Sequence, residues 1–178
     1  SKRYLILFQN NMELRPTGGF IGSFAMIDVR EGEIQKLDVP KGGSYDLQGT
    51  LKKNLVAPEP LRLLNARFEI QDANWFPDFP TSARKLMELY EDGGGRSVDG
   101  VIAVQATFVA NLLEKLGPVE LPAYDRTFTA ENFIFEAQKI AEEDHLETNA
   151  PKAFIGDLAQ ILLTRLQSAE PQTFLALI

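Results

Sequence analysis

The chain has 178 residues, no cysteine, one histidine and a formal net charge of −7. This composition excludes a disulfide framework, a thiolate zinc site and a cysteine nucleophile. The acidic excess argues against a nucleic-acid partner, because binding phosphates requires clustered lysine and arginine. The hydrophobic fraction of 44% is typical of one globular core, so we expect residues 1–178 to form a single domain.

Both ends of the chain predict a domain excised from a longer protein. The apolar residues 4–8 begin directly after three polar residues, and the chain stops within an apolar run at 174–178. No segment approaches the roughly 18 to 20 apolar residues of a membrane helix. We therefore expect any anchor or signal to lie in other parts of the parent protein.

The first half of the chain predicts mainly extended elements. Apolar runs rich in strand formers predict strands over residues 4–8, 20–29, 34–39 and 68–70. A turn at residues 30–33 predicts that the second and third of these form a hairpin. The glycines and prolines of residues 40–66 indicate a long loop with a short helix near Pro60.

The second half predicts helices that alternate with short strands over 101–104 and 119–121. Three segments with apolar residues at helical spacing each begin after a candidate N-cap residue. The candidate N-caps are Thr81 or Ser82 for the first segment, Thr107 for the second and Thr129 for the third. A last helix carries apolar residues between Phe154 and Leu166. The pattern predicts an α/β fold with α+β tendencies: a mixed central sheet with an N-terminal antiparallel hairpin and helices on both faces.

The segment Arg15–Gly22 is the first candidate site. An arginine beside Gly18 and Gly19 could hold an anion, because backbone N–H groups can approach closely and a guanidinium binds phosphate oxygens in a fork. The segment matches neither a P-loop nor a dinucleotide fingerprint, since a strand follows it. The alternative is a turn with Arg15 on the surface.

The loop Asp72–Pro80 is the second candidate. Asp72, Asn74 and Asp78 supply oxygen ligands of the kind that Mg²⁺ or Ca²⁺ accepts, although the spacing fits no EF-hand. The alternative is that Trp75 and Phe79 plug the core while the polar side chains cap turns. The sequence leaves both interpretations open.

A third candidate is the segment Lys41–Asp46, which follows a predicted strand and could bind an anion and a metal or form a solvated loop. Arg84, in the first turn of its predicted helix, could reach over the second candidate loop or pair with a carboxylate. His145 lies in an acidic helix end, and we expect it to be solvated.

Three segments together carry a family resemblance, namely residues 5–23, 72–85 and 98–104. They closely resemble an uncharacterised bacterial cell-surface family, the domain of unknown function numbered 4012. The resemblance spans residues 4 to about 121 and continues as helices to about 167. It implies an extracytoplasmic domain at the cell surface, membrane-anchored in the parent protein.

The order of segments is also similar to the LytR-CpsA-Psr domain. Members of that family transfer polyprenyl-pyrophosphate-linked glycopolymers to peptidoglycan with Mg²⁺. The resemblance implies ligand-binding roles for Arg15, Asn74 and Lys152. The family's Arg-Asp pair is absent; Lys41 replaces the arginine as a point charge, and Asp46 is the next acidic residue.

Two hypotheses follow. The favoured one is a non-catalytic envelope module that binds an anionic lipid-linked or glycan ligand. The alternative is a Mg²⁺-dependent phosphotransferase, whose prenyl tail would lie between sheet and helices along Phe133, Ile134 and Phe154, residues that could equally be plain core. In the alternative, the pyrophosphate would be held by Arg15, Lys41 and Arg84. Weaker candidates are Asp46 and Asp78 for catalysis, and Asp72 and Asp78 for the metal.

Overall fold

The computed structural model describes residues 1–63, 65–147, 150 and 152–169, with residues 143–147 described by their backbone alone. His145 and the C-terminal run 174–178 therefore lie outside the described side chains. The strands are β1 (Lys2–Asn10), β2 (Phe20–Arg30), β3 (Glu33–Asp38), β4 (Gly100–Gln105), β5 (Val119–Leu121) and β6 (Arg126–Phe128). The helices are α1 (Phe79–Asp92), α2 (Ala106–Leu116), α3 (Phe133–Glu147) and α4 (Ala153–Gln167).

Four strands form the central sheet in the order β3-β2-β1-β4. β1 pairs antiparallel with β2 and parallel with β4, so the mixed sheet is confirmed. The hairpin of β2 and β3 turns through Glu31 and Gly32, which both have positive φ. A two-residue turn with positive φ at both positions has a twist that matches the twist of the flanking strands, so it joins a hairpin favourably. The predicted turn at residues 30–33 is confirmed.

A bulge at Gly22 sets which side chains of β2 face each side of the sheet. Phe8 pairs with Ser23 and Gln9 pairs with Ile21, so Gly22 has no partner of its own. An extra residue shifts the alternation of a strand by one. Ile21 and Phe24 consequently pack in the same core despite their odd spacing.

The sheet separates two apolar clusters. Leu5 and Leu7 of β1 pack with α1 on one face. The neighbouring positions Ile6 and Phe8 point to the other face, where α2, α3 and α4 form the second cluster with β5 and β6. Helices on both faces are therefore confirmed.

Three local predictions were wrong. The segment 68–70 is not a strand; residues 70–75 form a 3₁₀ helix, because Glu69 and Asp72 cap each other's backbone N–H groups in a capping box. α1 is capped by Asp78 rather than by Thr81 or Ser82, and α2 follows Gln105 rather than Thr107. The strand at 119–121 is confirmed, although its partner β6 has no sequence prediction.

Within the described residues, no helix is both long and apolar enough to cross a membrane.

Candidate ligand-binding site

A cavity of about 810 Å³ lies between the sheet and helices α2, α3 and α4. Its sheet side includes Ile6, Phe8 and Phe20, and its helix side includes α2, α3 and α4. The three side chains proposed to accompany a prenyl tail all line it: Phe133, Ile134 and Phe154. The cavity is a cleft open to solvent rather than an enclosed void, since the exposed side chains of Tyr45 and Phe108 are among its lining residues.

Small side chains line part of the helix side of the cavity. Four alanines point into the cavity from the three helices, namely Ala106, Ala137, Ala141 and Ala159. Phe154 of α4 stacks on Phe128 of β6, with ring centroids 5.8 Å apart. The second apolar cluster joins the three helices to β5 and β6, and the cavity lies between these helices and the sheet.

Lys152 supplies a positive charge among these largely apolar walls. It occupies the N-cap position of α4 without a side-chain capping hydrogen bond, and its backbone N–H donates a hydrogen bond of 2.8 Å to the carbonyl of Lys41. Gly43 allows this approach, because a Cβ there would lie 2.9 Å from Cγ of Lys152 and 2.5 Å from the carbonyl oxygen of Gly22. Gly43 also has a φ of +66°, which favours glycine.

Lys152 is half-buried, so its ammonium group is partly shielded from water. Burial lowers the pKa of its ammonium group, and the carboxylate of Glu13 opposes this effect. No carboxylate among the described residues lies within the 4.0 Å of an ion pair with it. Ser23, whose Cα lies on the same side of Gly43 as the Lys152 stem, has a buried hydroxyl without a hydrogen-bond partner. An anionic group could bind both.

Arg15 lies outside the lining of this cavity. Its guanidinium sits 5.3 Å from the ring centroid of Phe20 and donates to the carbonyl of Leu14. Its charge also partly counteracts the effect of burial on Asp72. The structure thus places Arg15 against Phe20, a lining residue of the cavity, and within electrostatic range of Asp72, and its role in anion binding stays a prediction.

The side chains of the Asp72–Pro80 loop organise the backbone. Asn74 is 2% exposed and donates from Nδ2 to the carbonyl of Gly19 at 2.6 Å. Asp78 accepts from the backbone N–H of Thr81 at 2.8 Å, and the hydrogen bonds from Thr81 lower its pKa. Trp75 packs against the first cluster. These contacts fit the interpretation of capped turns with Trp75 as a core plug, whereas Phe79 belongs to neither apolar cluster.

Other sequence candidates also have local partners. Asp46 accepts from the backbone N–H of Gly42 at 3.0 Å, and Arg84 donates to Thr81 within its own helix turn. Lys41 is exposed, and its backbone carbonyl accepts the hydrogen bond from the N–H of Lys152. No group of three or more His, Cys, Asp or Glu side chains suited to a metal occurs in the described part of the chain. Metal and catalytic roles stay predictions.

Sequence reasoning missed Glu13 and Ser23. Both fall inside the first segment of the family resemblance, yet neither belongs to a recognisable motif. Ser23 reaches the cavity only because of the bulge at Gly22, and Glu13 lies there because the loop after β1 folds back. Neither effect has a sequence pattern.

Asp72 offers a test that separates a capping role from metal binding. Burial raises the pKa of this carboxyl, while its Oδ2 accepts from the N–H of Glu69 at 3.2 Å. A carboxyl whose pKa is higher in the folded than in the unfolded state stabilises the fold at low pH, and this contribution is lost as the pH rises through the folded pKa. Near neutral pH the ionised form of Asp72 is therefore unfavourable for the folded state. We expect Asp72→Asn to keep or raise the melting temperature at pH 7, whereas Asp72→Ala lowers it. A loss of Mg²⁺-dependent stabilisation in Asp72→Asn would instead assign a metal role.

Residues 1–140 match the model of a family described as "Protein of unknown function (DUF4012)", and the chain belongs to that family. A comparison with curated proteins finds no match.

Proposed function

We propose that this domain binds an anionic isoprenoid-type lipid, with the chain in the cavity and the head group against Lys152. The observation that supports this most strongly is the combination of a largely apolar cavity of about 810 Å³ with a half-buried lysine in its wall. Ligand sites are typically clefts of about 300–1,000 Å³ with apolar walls and a few polar groups that fix orientation. An amphipathic lipid satisfies both parts.

The biological setting of this proposal is the bacterial envelope. A lipid-linked glycan intermediate would place its hydrocarbon chain in the cavity and its polymer in solvent. The domain would then act outside the cytoplasm as part of a membrane-anchored protein. This setting rests on the resemblance stated above, and the cavity is compatible with it.

The alternative function is a Mg²⁺-dependent phosphotransferase acting on a polyprenyl-pyrophosphate-linked glycopolymer. It requires a metal near the head group, for which Asp46, Asp72 and Asp78 are the sequence candidates. Each of these carboxylates accepts a backbone hydrogen bond in the structure. The lipid-binding proposal needs none of them, so it is the simpler account.

Thermal unfolding with farnesyl phosphate, farnesol or inorganic phosphate tests the proposal. Ligand at 100 times its Kd stabilises a protein by about 2.7 kcal/mol, which is roughly 5–10 °C for a domain of this size. We expect farnesyl phosphate to give this shift without added Mg²⁺ and inorganic phosphate to give none. A shift that appears only with Mg²⁺ would favour the phosphotransferase, and no shift near saturation would contradict both.

Lys152→Met identifies the head-group contact. Methionine keeps the length of the side-chain stem and removes the charge, so we expect affinity for farnesyl phosphate to fall at least about tenfold while farnesol binds as before. Lys115→Met is the control, because Lys115 is exposed at the end of α2 and is absent from the cavity lining. Equal losses in both variants would remove Lys152 from the site.

A further inference from the structure

The charges around the cavity restrict the head group further, and this inference rests on the proposed function. Three charged side chains of the described residues line the cavity: Lys152, Glu13 and Glu142. Lys152 is half-buried, whereas Glu13 and Glu142 are exposed, so the lining carries one positive charge and two negative charges that remain in contact with solvent. The cavity as a whole offers compensation for one negative charge and repels further ones.

Glu13 is held in place rather than free to turn away. Its Oε1 accepts from Nδ2 of Asn10 at 2.9 Å, and its backbone carbonyl accepts from the N–H of Phe20 at 2.9 Å. Its charge acts on Lys152 in the structure. The carboxylate of Glu13 attracts the ammonium group of Lys152, and it would repel an anionic head group bound there.

The remaining polar groups near Lys152 are uncharged. Ser23 contributes a buried hydroxyl, and Asn10 contributes an amide already bonded to Glu13. Hydroxyl and amide groups hydrogen-bond to an oxyanion without neutralising it. A second negative charge on a head group would find no second cation among the described residues of the cavity lining, and like charges placed together in a binding site repel each other.

We propose that the natural ligand carries a single negative charge in its head group, as a carboxylate or a phosphodiester does, rather than the two or three charges of a pyrophosphate. Lys152 pairs with that charge, and Ser23 donates a hydrogen bond to the same head group after rotation of its hydroxyl. Glu13 acts as the selectivity residue that rejects more highly charged heads.

Isothermal titration with three ligands of one chain length tests this inference, namely farnesoate, farnesyl phosphate and farnesyl pyrophosphate. We expect farnesoate to bind at least about tenfold more tightly than the pyrophosphate, because only the pyrophosphate adds charges without a counter-ion. The phosphate should bind more tightly at pH 5.5 than at pH 8, since its second ionisation occurs near pH 6.

Glu13→Gln supplies the decisive variant. The amide preserves a hydrogen-bond acceptor for Asn10 and removes the repulsion, so the preference against pyrophosphate should shrink several-fold while farnesoate affinity changes little. Glu114→Gln, an exposed site on α2 outside the cavity lining, should leave the preference unchanged. Pyrophosphate binding as tightly as farnesoate in the wild type would overturn the single-charge inference alone. Failure of all three ligands to bind would overturn the proposed lipid binding itself.

Discussion

Gly19→Ala is expected to destabilise the domain by roughly 3–5 kcal/mol, lowering the melting temperature by about 10 °C. Gly19 has a φ of +130°, and a Cβ there would overlap the backbone carbonyl of Asn10. Backbone atoms cannot swing aside as a flexible side chain can. The loop after β1 would have to move, and with it the carbonyl that accepts from Asn74.

Gly32→Ala is the matched control for that experiment. Gly32 also has a positive φ, +85°, yet no atom lies within 4 Å of the position its Cβ would take. It should cost only the backbone strain, about 1–2 kcal/mol. Equal destabilisation by the two variants, measured by urea unfolding, would show that the close approach of Gly19 to Asn10 is unimportant.

Ala159→Trp is expected to weaken lipid binding at least about tenfold while leaving the domain folded. Ala159 lines the cavity, so an indole at this position has space to occupy and competes directly with a hydrocarbon chain. We expect farnesyl phosphate affinity to fall at least about tenfold. The melting temperature should stay within a few degrees of the wild type, because filling empty space avoids the overpacking cost of a filled core.

Ala73→Trp shows what the same substitution does where no space exists. Ala73 is 0% exposed and belongs to the first apolar cluster. Overpacking there should cost about 3 kcal/mol or more, or prevent folding. If Ala159→Trp is as destabilising as Ala73→Trp, the space between the sheet and α4 is filled in solution and the cavity is not a binding site.

Local patterns predicted the sheet and helices well, because hairpin turns and helical periodicity act over a few residues. The turn at Glu31 and Gly32 and the helical face containing Phe154 are examples. The prediction failed at residues 68–70, where alternation resembles a strand but the capping box of Glu69 and Asp72 makes a 3₁₀ helix. Hydrogen bonds between side chain and backbone outweighed the apolar pattern there.

The candidate site was less accessible to sequence reasoning than the fold. The apolar spacing of Phe133 and Phe154 is the same whether the opposite sheet face packs against them or leaves a cavity. The site depends on three-dimensional facts, namely small residues such as Ala159 facing the sheet and a bulge at Gly22. Lys152 was predicted only through a family resemblance, since one lysine near a helix start has no distinctive pattern.

The most direct test of the central claim is a calorimetric titration of wild-type protein with farnesyl phosphate and with the much shorter isopentenyl phosphate, at several temperatures. The cavity predicts saturable binding at one site per chain, tighter for the longer chain, with a negative heat-capacity change because apolar surface is buried. Equal affinity for the two phosphates, with no heat-capacity change, would contradict the account and show that any binding is to the phosphate alone.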